Sequence, residues 1–183
     1  EEVFDVAYKW LGRIPGGLAV ATVVASTVLA AMVGGIGAAV VTMALVALPS
    51  MLRRGYSPVL AVGTVMAGGT LGILIPPSVL AIVYGLVANQ SVGELYLGSV
   101  FPGLVLSGLY ILFSVGYALL NPKAAPRLSP EETPTWSERW RALRSIWSPL
   151  VLIFLVLGTI FLGLAAPTEA AASPAISMRR SMM

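Results

Sequence analysis

The chain has 183 residues, of which 57% are hydrophobic and only 10% are charged, so it falls outside the class of soluble globular proteins and indicates an integral membrane protein. It contains neither Cys nor His, and nearly all of its eight carboxylates lie outside the apolar stretches, which argues against an enzyme or a metal centre built on those side chains. The net charge of +3 comes from basic residues beside apolar stretches, where they orient a membrane protein and do not indicate nucleic-acid binding.

The first predicted element, residues 1–15, is a short amphipathic helix lying at the membrane interface. Trp10 is an aromatic residue of the kind that anchors at headgroup depth, and Lys9 and Arg13 lie beside it. The sequence Pro15-Gly16-Gly17 ends this helix.

Residues 16–52 form an uncharged stretch that is interrupted near its middle by Gly34-Gly35-Ile36-Gly37. A single straight helix of that length would measure roughly 55 Å, whereas the hydrocarbon core of a bilayer is about 30 Å thick, so the chain must fold back. The first arm, Ala19 to Val33, would reach only about 22 Å as a helix. These lengths favour a re-entrant helical hairpin with its tip at the glycines. Two short full spans remain an alternative, because basic residues flank both ends and charge does not separate the two arrangements.

Residues 56–93 form a second uncharged stretch, predicted to be a broken transmembrane helix. Pro76 and Pro77 have no N–H, so in a continuous helix the carbonyls of Gly72 and Ile73, four residues earlier, would lack partners. Each unpaired carbonyl at membrane depth costs several kcal/mol. Either a cation, a water-lined cavity or a polar neighbour binds these carbonyls, or the segment is a kinked span whose gap a nearby hydroxyl closes.

The rest of the chain is predicted to hold two more spans and a polar connection. Residues 95–121 are a returning transmembrane helix, 123–145 a cytoplasmic surface arm helix, 146–167 a further transmembrane helix and 168–183 a truncated or aberrant tail. On this topology nine of the eleven Lys and Arg residues lie on the cytoplasmic side, as the positive-inside rule requires.

Four stretches of the sequence carry a resemblance to a known family. They are WLGRIPGGLA at 10–19, LPSMLRRGY at 48–56, GGTLGILIPPS at 68–78 and APTEAA at 166–171. In this order and spacing, from about residue 4 to residue 172, they resemble the large membrane subunit of tripartite ATP-independent periplasmic (TRAP) transporters. The glycine-to-diproline run is the most specific of the four.

The resemblance implies a secondary active transporter that imports organic acids, such as C4-dicarboxylates, by sodium symport. It implies no enzymatic activity and no cofactor, with sodium as the coupling ion. The implied partners are a small membrane subunit, a periplasmic solute-binding protein, the organic acid substrate and the lipid bilayer, with no nucleic acid. The implied fold is an all-α, multi-pass protein of the bacterial inner membrane, forming one inverted repeat of an elevator-type transporter. The alternative is an incomplete, inactive gene product or a structural membrane partner.

The resemblance also implies a sodium site where the hairpin tip meets the break. The residues expected to hold the ion are Gly34, Gly35, Gly69, Thr70, Gly72, Ile73 and Pro76. Those expected to face the substrate are Pro77 and Ser78. Carbonyls at helix C-terminal ends suit a cation, and helix N-terminal ends suit an anion. Many family members have a serine-rich tip, whereas the tip here has no hydroxyl, so its ligands would be backbone carbonyls. The helix-interior hydroxyls of Ser26 and Thr42 are expected to bond carbonyls of their own helix.

Overall fold

A computed structural model describes residues 14–126, together with positions 7, 10, 11, 147, 151, 154, 155 and 157–159. The elements predicted for residues 1–15, 123–145, 146–167 and 168–183 therefore lie wholly or largely outside the described residues. Residues 14–126 form five helices and no strand. The helices are α1 (Gly17–Val33), α2 (Ile36–Arg53), α3 (Pro58–Leu74), α4 (Val79–Ala88) and α5 (Val92–Leu120).

The described part contains three helical stretches that are long and apolar enough to cross a membrane. They are Ile36–Arg53 with 18 residues, Pro58–Ala88 with 31 and Val92–Leu120 with 29. The fourth apolar helix, α1, has 17 residues and is about 25 Å long. The prediction of an all-helical membrane protein is confirmed.

A two-residue turn of glycine joins α1 to α2. Gly34 adopts a left-handed conformation with φ of 64°, and its N–H donates to the carbonyl of Ala30 at 3.0 Å, which closes the end of α1. Gly35 is extended and forms the N-cap of α2. A residue without a β-carbon adopts the left-handed conformation at little cost, so the chain can reverse within two residues. The two arms therefore form a helical hairpin.

The hairpin packs against α3 through small residues. A β-carbon on Gly69 would collide with the side chain of Val40 on α2, and one on Gly68 would lie 2.8 Å from the Cβ of Ser26 on α1. Adjacent glycines thus let the two arms of the hairpin approach two faces of α3. In a membrane the hydrophobic effect does not drive helices together, because lipid tails are as apolar as the side chains. Helices there associate instead through close packing at small residues.

The long helix α5 crosses both α1 and α3. The hydroxyls of Thr27 and Ser107 hydrogen-bond at 2.8 Å between α1 and α5. Near the end of α3, a β-carbon on Gly103 would lie 3.0 Å from the Cγ1 of Ile75. This glycine lets α5 pack closely on the segment where α3 ends.

At the other end of the bundle, the loop between α2 and α3 is bonded to two neighbours. The N–H of Leu18 donates to the hydroxyl of Tyr56 at 3.2 Å, and the N–H of Ser57 donates to the carbonyl of Ala124 at 2.9 Å. Burial raises the pKa of Tyr56 above its ordinary value, against smaller lowering effects of the Leu18 bond and of Arg54. The phenol therefore stays neutral and accepts one of the N–H groups that the start of α1 leaves unpaired.

Candidate functional site

The membrane stretch made of α3 and α4 is interrupted between Leu74 and Val79. The N–H of Ile75 donates to the Leu71 carbonyl at 2.9 Å, and it is the last N–H before the cis peptide bond that joins the two prolines. Because proline has no N–H, the helix provides no donor for the carbonyls of Gly72 and Ile73. Within the described residues, no backbone N–H in a turn, loop or helix cap donates to either of these two oxygens.

The tip of the hairpin lies directly against this break. The N–H of Val79, the first residue of α4, donates to the carbonyl of Gly34 at 3.2 Å. A β-carbon on Gly34 would collide with the carbonyl oxygen of Pro77, and one on Gly72 would lie 3.2 Å from both the carbonyl carbon and oxygen of Gly35. The tip therefore touches the chain on both sides of the diproline.

Four helix ends meet at this contact. The C-terminal ends of α1 and α3 bring carbonyls that their helices leave without donors. The N-terminal ends of α2 and α4 bring N–H groups that their helices leave without acceptors, of which the Val79 N–H bonds the Gly34 carbonyl. The N-cap residues Gly35 and Ser78 provide no side-chain hydrogen bond to those N–H groups. C-terminal ends attract cations and N-terminal ends attract anions, so the contact offers complementary partners to a cation and an anion side by side.

The hydroxyl of Ser78 is a buried polar group without a partner among the described residues. The residue is 1% exposed, and its Oγ makes no hydrogen bond within that part of the chain. Such a group costs free energy unless a ligand, ion or water binds it. Among the described residues no group of three or more His, Cys, Asp or Glu side chains converges, so a cation at the break would be held by carbonyl and hydroxyl oxygens.

The carbonyl of Ser78 has a partner that sequence reasoning missed. Tyr96 on α5 is fully buried, and its hydroxyl donates to this carbonyl at 3.2 Å. The ring packs against Ala81 and Ile82 of α4, so α5 holds both the break and the start of α4 in position. Nothing in the sequence around Tyr96 distinguishes it from the other five tyrosines. Its role depends on α5 folding back beside α4.

The predicted ion-binding residues do not all face the tip. Gly69 faces Val40 on α2, and the hydroxyl of Thr70 lies 3.1 Å from the hydroxyl of Tyr110 on α5. The side chain of Ile73 is 36% exposed on the outer surface. These three residues pack α3 against its neighbours or face outward, and only their carbonyls remain as possible ligands. Pro76, by contrast, is among the fully buried residues.

The expectation for Ser26 was wrong. Its Oγ is buried and makes no hydrogen bond to any residue that the structure describes, although Thr22 on the preceding turn bonds the Leu18 carbonyl at 2.8 Å in the expected way. The side chain of Ser26 points at Gly68 of α3, where the missing β-carbon leaves room for it. The interhelical contact has thus displaced the local side-chain to backbone bond.

An interrupted apolar helix, met at its break by the tip of a helical hairpin, defines an all-helical membrane protein with unpaired backbone groups in its interior. The sequence profile of the tripartite ATP-independent periplasmic transporter DctM component matches residues 1–178. The chain therefore belongs to the family of TRAP transporter large permeases, which are transporters and not enzymes.

Three relatives illustrate the range of this family. The C4-dicarboxylate TRAP transporter large permease protein DctM of Vibrio cholerae is 38% identical over 96% of this chain and 38% of its own length. The ectoine TRAP transporter large permease protein TeaC of Halomonas elongata is 33% identical over 93% of this chain and 39% of its own length. The isethionate TRAP transporter permease protein DctMQ of Oleidesulfovibrio alaskensis is 33% identical over 93% of this chain and 26% of its own length. The chain thus spans about two fifths or less of these relatives.

Proposed function

We propose that the protein containing this chain imports an organic acid, such as a C4-dicarboxylate, by sodium symport, and that the chain holds a sodium ion where the hairpin tip meets the break. The observation that carries this proposal is the contact of Gly34 with Pro77 and Val79, which brings unpaired backbone oxygens into the interior of a membrane stretch. Interrupted membrane helices that bring their ends together at a cavity are typical of ion-coupled transporters.

The ligands available to the cation are oxygens. The carbonyls of Gly72 and Ile73 lack helical donors, and the Oγ of Ser78 is buried without a partner within the described residues. The carbonyl of Gly34 already accepts from Val79 but retains a second lone pair. A hard cation prefers such oxygen ligands, and binding one would compensate buried groups that are otherwise unpaired.

The anionic solute would lie on the side of the N-terminal ends. The first turns of α2 and α4 present N–H groups that their N-cap side chains leave unbonded, and Pro77 and Ser78 lie where α4 begins. The names of the relatives include C4-dicarboxylate and isethionate, and both compounds carry an anionic group. Placing cation and anion side by side would couple the binding of one to the other.

The same proposal includes the arrangement in the membrane. The α3 helix covers about 25 Å and α4 adds about 15 Å beyond the hairpin tip, so the tip would lie inside the membrane as a re-entrant hairpin. We place the protein in the bacterial inner membrane as one inverted repeat of an elevator-type transporter. Its partners would be a small membrane subunit and a periplasmic solute-binding protein.

The test is the stabilisation of the protein by sodium. Ligand at a hundredfold excess over its dissociation constant stabilises by about 2.7 kcal/mol, so replacing choline by sodium at equal ionic strength should raise the Tm by several degrees. The double variant Pro76→Ala with Pro77→Ala restores N–H donors for the carbonyls of Gly72 and Ile73 and should abolish most of this increase. An unchanged response to sodium in the double variant contradicts the proposed site.

The matched control is Pro49→Ala. Pro49 lies inside α2 on an exposed face, about 20 Å along the helix from the hairpin tip, so this variant also replaces a proline within an apolar helix. Its response to sodium should equal that of the unmodified protein. A loss of the sodium effect in Pro49→Ala as well would mean that the assay reports helix rigidity and not ligation at the break.

A further inference from the structure

A groove of about 540 Å³ runs between α3 and α5, with α1 as its floor. Val23 of α1 is buried at the bottom, while Val59 and Phe113 are exposed on the two rims. The groove is lined by Val23, Val59, Leu60, Gly63, Thr64, Ala67, Leu106, Leu109, Tyr110, Phe113, Ser114 and Tyr117. Its volume is in the range of ligand-binding pockets in proteins.

The polar groups in the groove are already bonded within the chain. The hydroxyl of Thr64 donates to the Leu60 carbonyl at 2.7 Å, and that of Ser114 donates to the Tyr110 carbonyl at 2.8 Å. The hydroxyl of Tyr110 pairs with Thr70. The hydroxyls of Thr64, Ser114 and Tyr110 therefore do not require a polar ligand as a hydrogen-bond partner. The remaining hydroxyl-bearing residue, Tyr117, lies at one end of the groove.

The groove extends along only part of the membrane stretch. On α3 it runs from Val59 to Ala67, which corresponds to about 12 Å, whereas a hydrocarbon core is about 30 Å thick. A membrane-crossing helix of another subunit would need a groove along its whole length. A groove confined to one half of the span instead matches a hydrocarbon chain from one leaflet.

The positions of the charged side chains indicate from which leaflet a lipid would enter the groove and which headgroup it would carry. Residues 14–126 contain four charged side chains, and three of them, Arg53, Arg54 and Lys123, lie at the end of the bundle where the groove contains Val59 and Tyr117. The bond from the Ser57 N–H to the Ala124 carbonyl holds the segment next to Lys123 against the start of α3. The fourth charged residue, Glu94, lies at the far end of α5. Basic side chains at the membrane surface attract anionic lipid.

We propose that this groove binds an acyl chain of an anionic phospholipid from the leaflet at the Arg53 end, with the headgroup beside Arg53 and Lys123. The bound chain fills the space between Leu109 and Phe113 on α5 and the Gly63 face of α3. It thereby completes the packing of the two helices next to the point where the Thr70–Tyr110 pair joins them.

The test uses the 183-residue chain purified in detergent and titrated with phosphatidylglycerol or phosphatidylcholine, with bound lipid counted by native mass spectrometry. The variant Gly63→Phe places a ring in the groove, because Gly63 lines it and no atom of the described residues lies within 4 Å of a β-carbon at this position. It should lose most of the retained phosphatidylglycerol. The matched control Gly98→Phe also adds a ring at an open glycine on an apolar helix, but outside the groove, and should bind as the unmodified chain does.

Two further variants test the headgroup. Each of Arg53→Gln and Lys123→Gln should lower the preference for phosphatidylglycerol over phosphatidylcholine about fivefold, because one basic side chain near the surface contributes about that factor. The groove itself is unchanged in these variants. Total lipid binding at saturating concentration should therefore persist.

Photolabelling of the unmodified chain provides a measurement that does not depend on a folded variant. Phosphatidylglycerol with a diazirine in its acyl chain should label peptides that contain Ala67 and Leu109. Equal lipid retention by the Gly63→Phe and unmodified chains would overturn the proposal. So would labelling spread evenly over all apolar helices, or an absence of label from the peptides that contain Ala67 and Leu109.

Discussion

Replacing Gly34 by Ala tests the contact on which the proposed site depends. Gly34 has φ of 64°, and an alanine in this conformation costs about 1 kcal/mol relative to glycine. The new β-carbon would also collide with the carbonyl oxygen of Pro77, which is backbone and has no rotamer to change. Forced overpacking of this kind costs about 1–3 kcal/mol. We expect a total destabilisation of about 3 kcal/mol, which corresponds to a fall in Tm of about 6–12 °C.

The neighbouring glycine provides a matched control. Gly35 is extended, with φ of −151°, and no atom of the described residues lies within 4 Å of a β-carbon built on it. Gly35→Ala should therefore change the Tm by only about 1–4 °C in either direction. Thermal unfolding of both variants in the same detergent, with and without sodium, makes the comparison.

Two results would refute the reasoning about Gly34. If Gly34→Ala and Gly35→Ala unfold at the same temperature, the tip does not contact the break as described. If Gly34→Ala is destabilised but keeps the whole sodium-dependent rise in Tm, the contact is structural and the ion is held elsewhere.

The remaining predictions concern the break and the packing of α3. Tyr96→Phe removes the donor to the Ser78 carbonyl. It should lower the free energy of unfolding by about 1 kcal/mol and raise the sodium concentration needed for half-maximal stabilisation. Tyr84→Phe, on the exposed face of α4, should change neither quantity. Ser78→Ala removes a buried unpaired hydroxyl, so it should raise the Tm without sodium and reduce the further rise on adding sodium. Gly69→Ala should destabilise by about 1–3 kcal/mol, and adding Val40→Ala should recover part of this loss in a double-mutant cycle measured by thermal unfolding.

Local chemistry made several features readable from the sequence. The long uncharged stretches predict membrane helices because a bilayer admits few charges, and this prediction is confirmed for the class of fold. Gly34 and the diproline mark the places where helices stop, since glycine permits a left-handed turn and proline removes an N–H. These effects act within a few residues and need no knowledge of distant contacts.

The partners across the bundle were decided only by tertiary structure. The α3 helix is apolar on all sides, so its sequence does not indicate which face meets the hairpin, which meets α5 and which faces outward. For this reason the sequence does not indicate that the hydroxyl of Thr70, a predicted ion ligand, pairs with Tyr110, or that the Ser26 hydroxyl points at Gly68 instead of bonding its own helix. The bond from Tyr96 to Ser78 likewise depends on how α5 is rotated about its axis, which packing sets and local sequence does not.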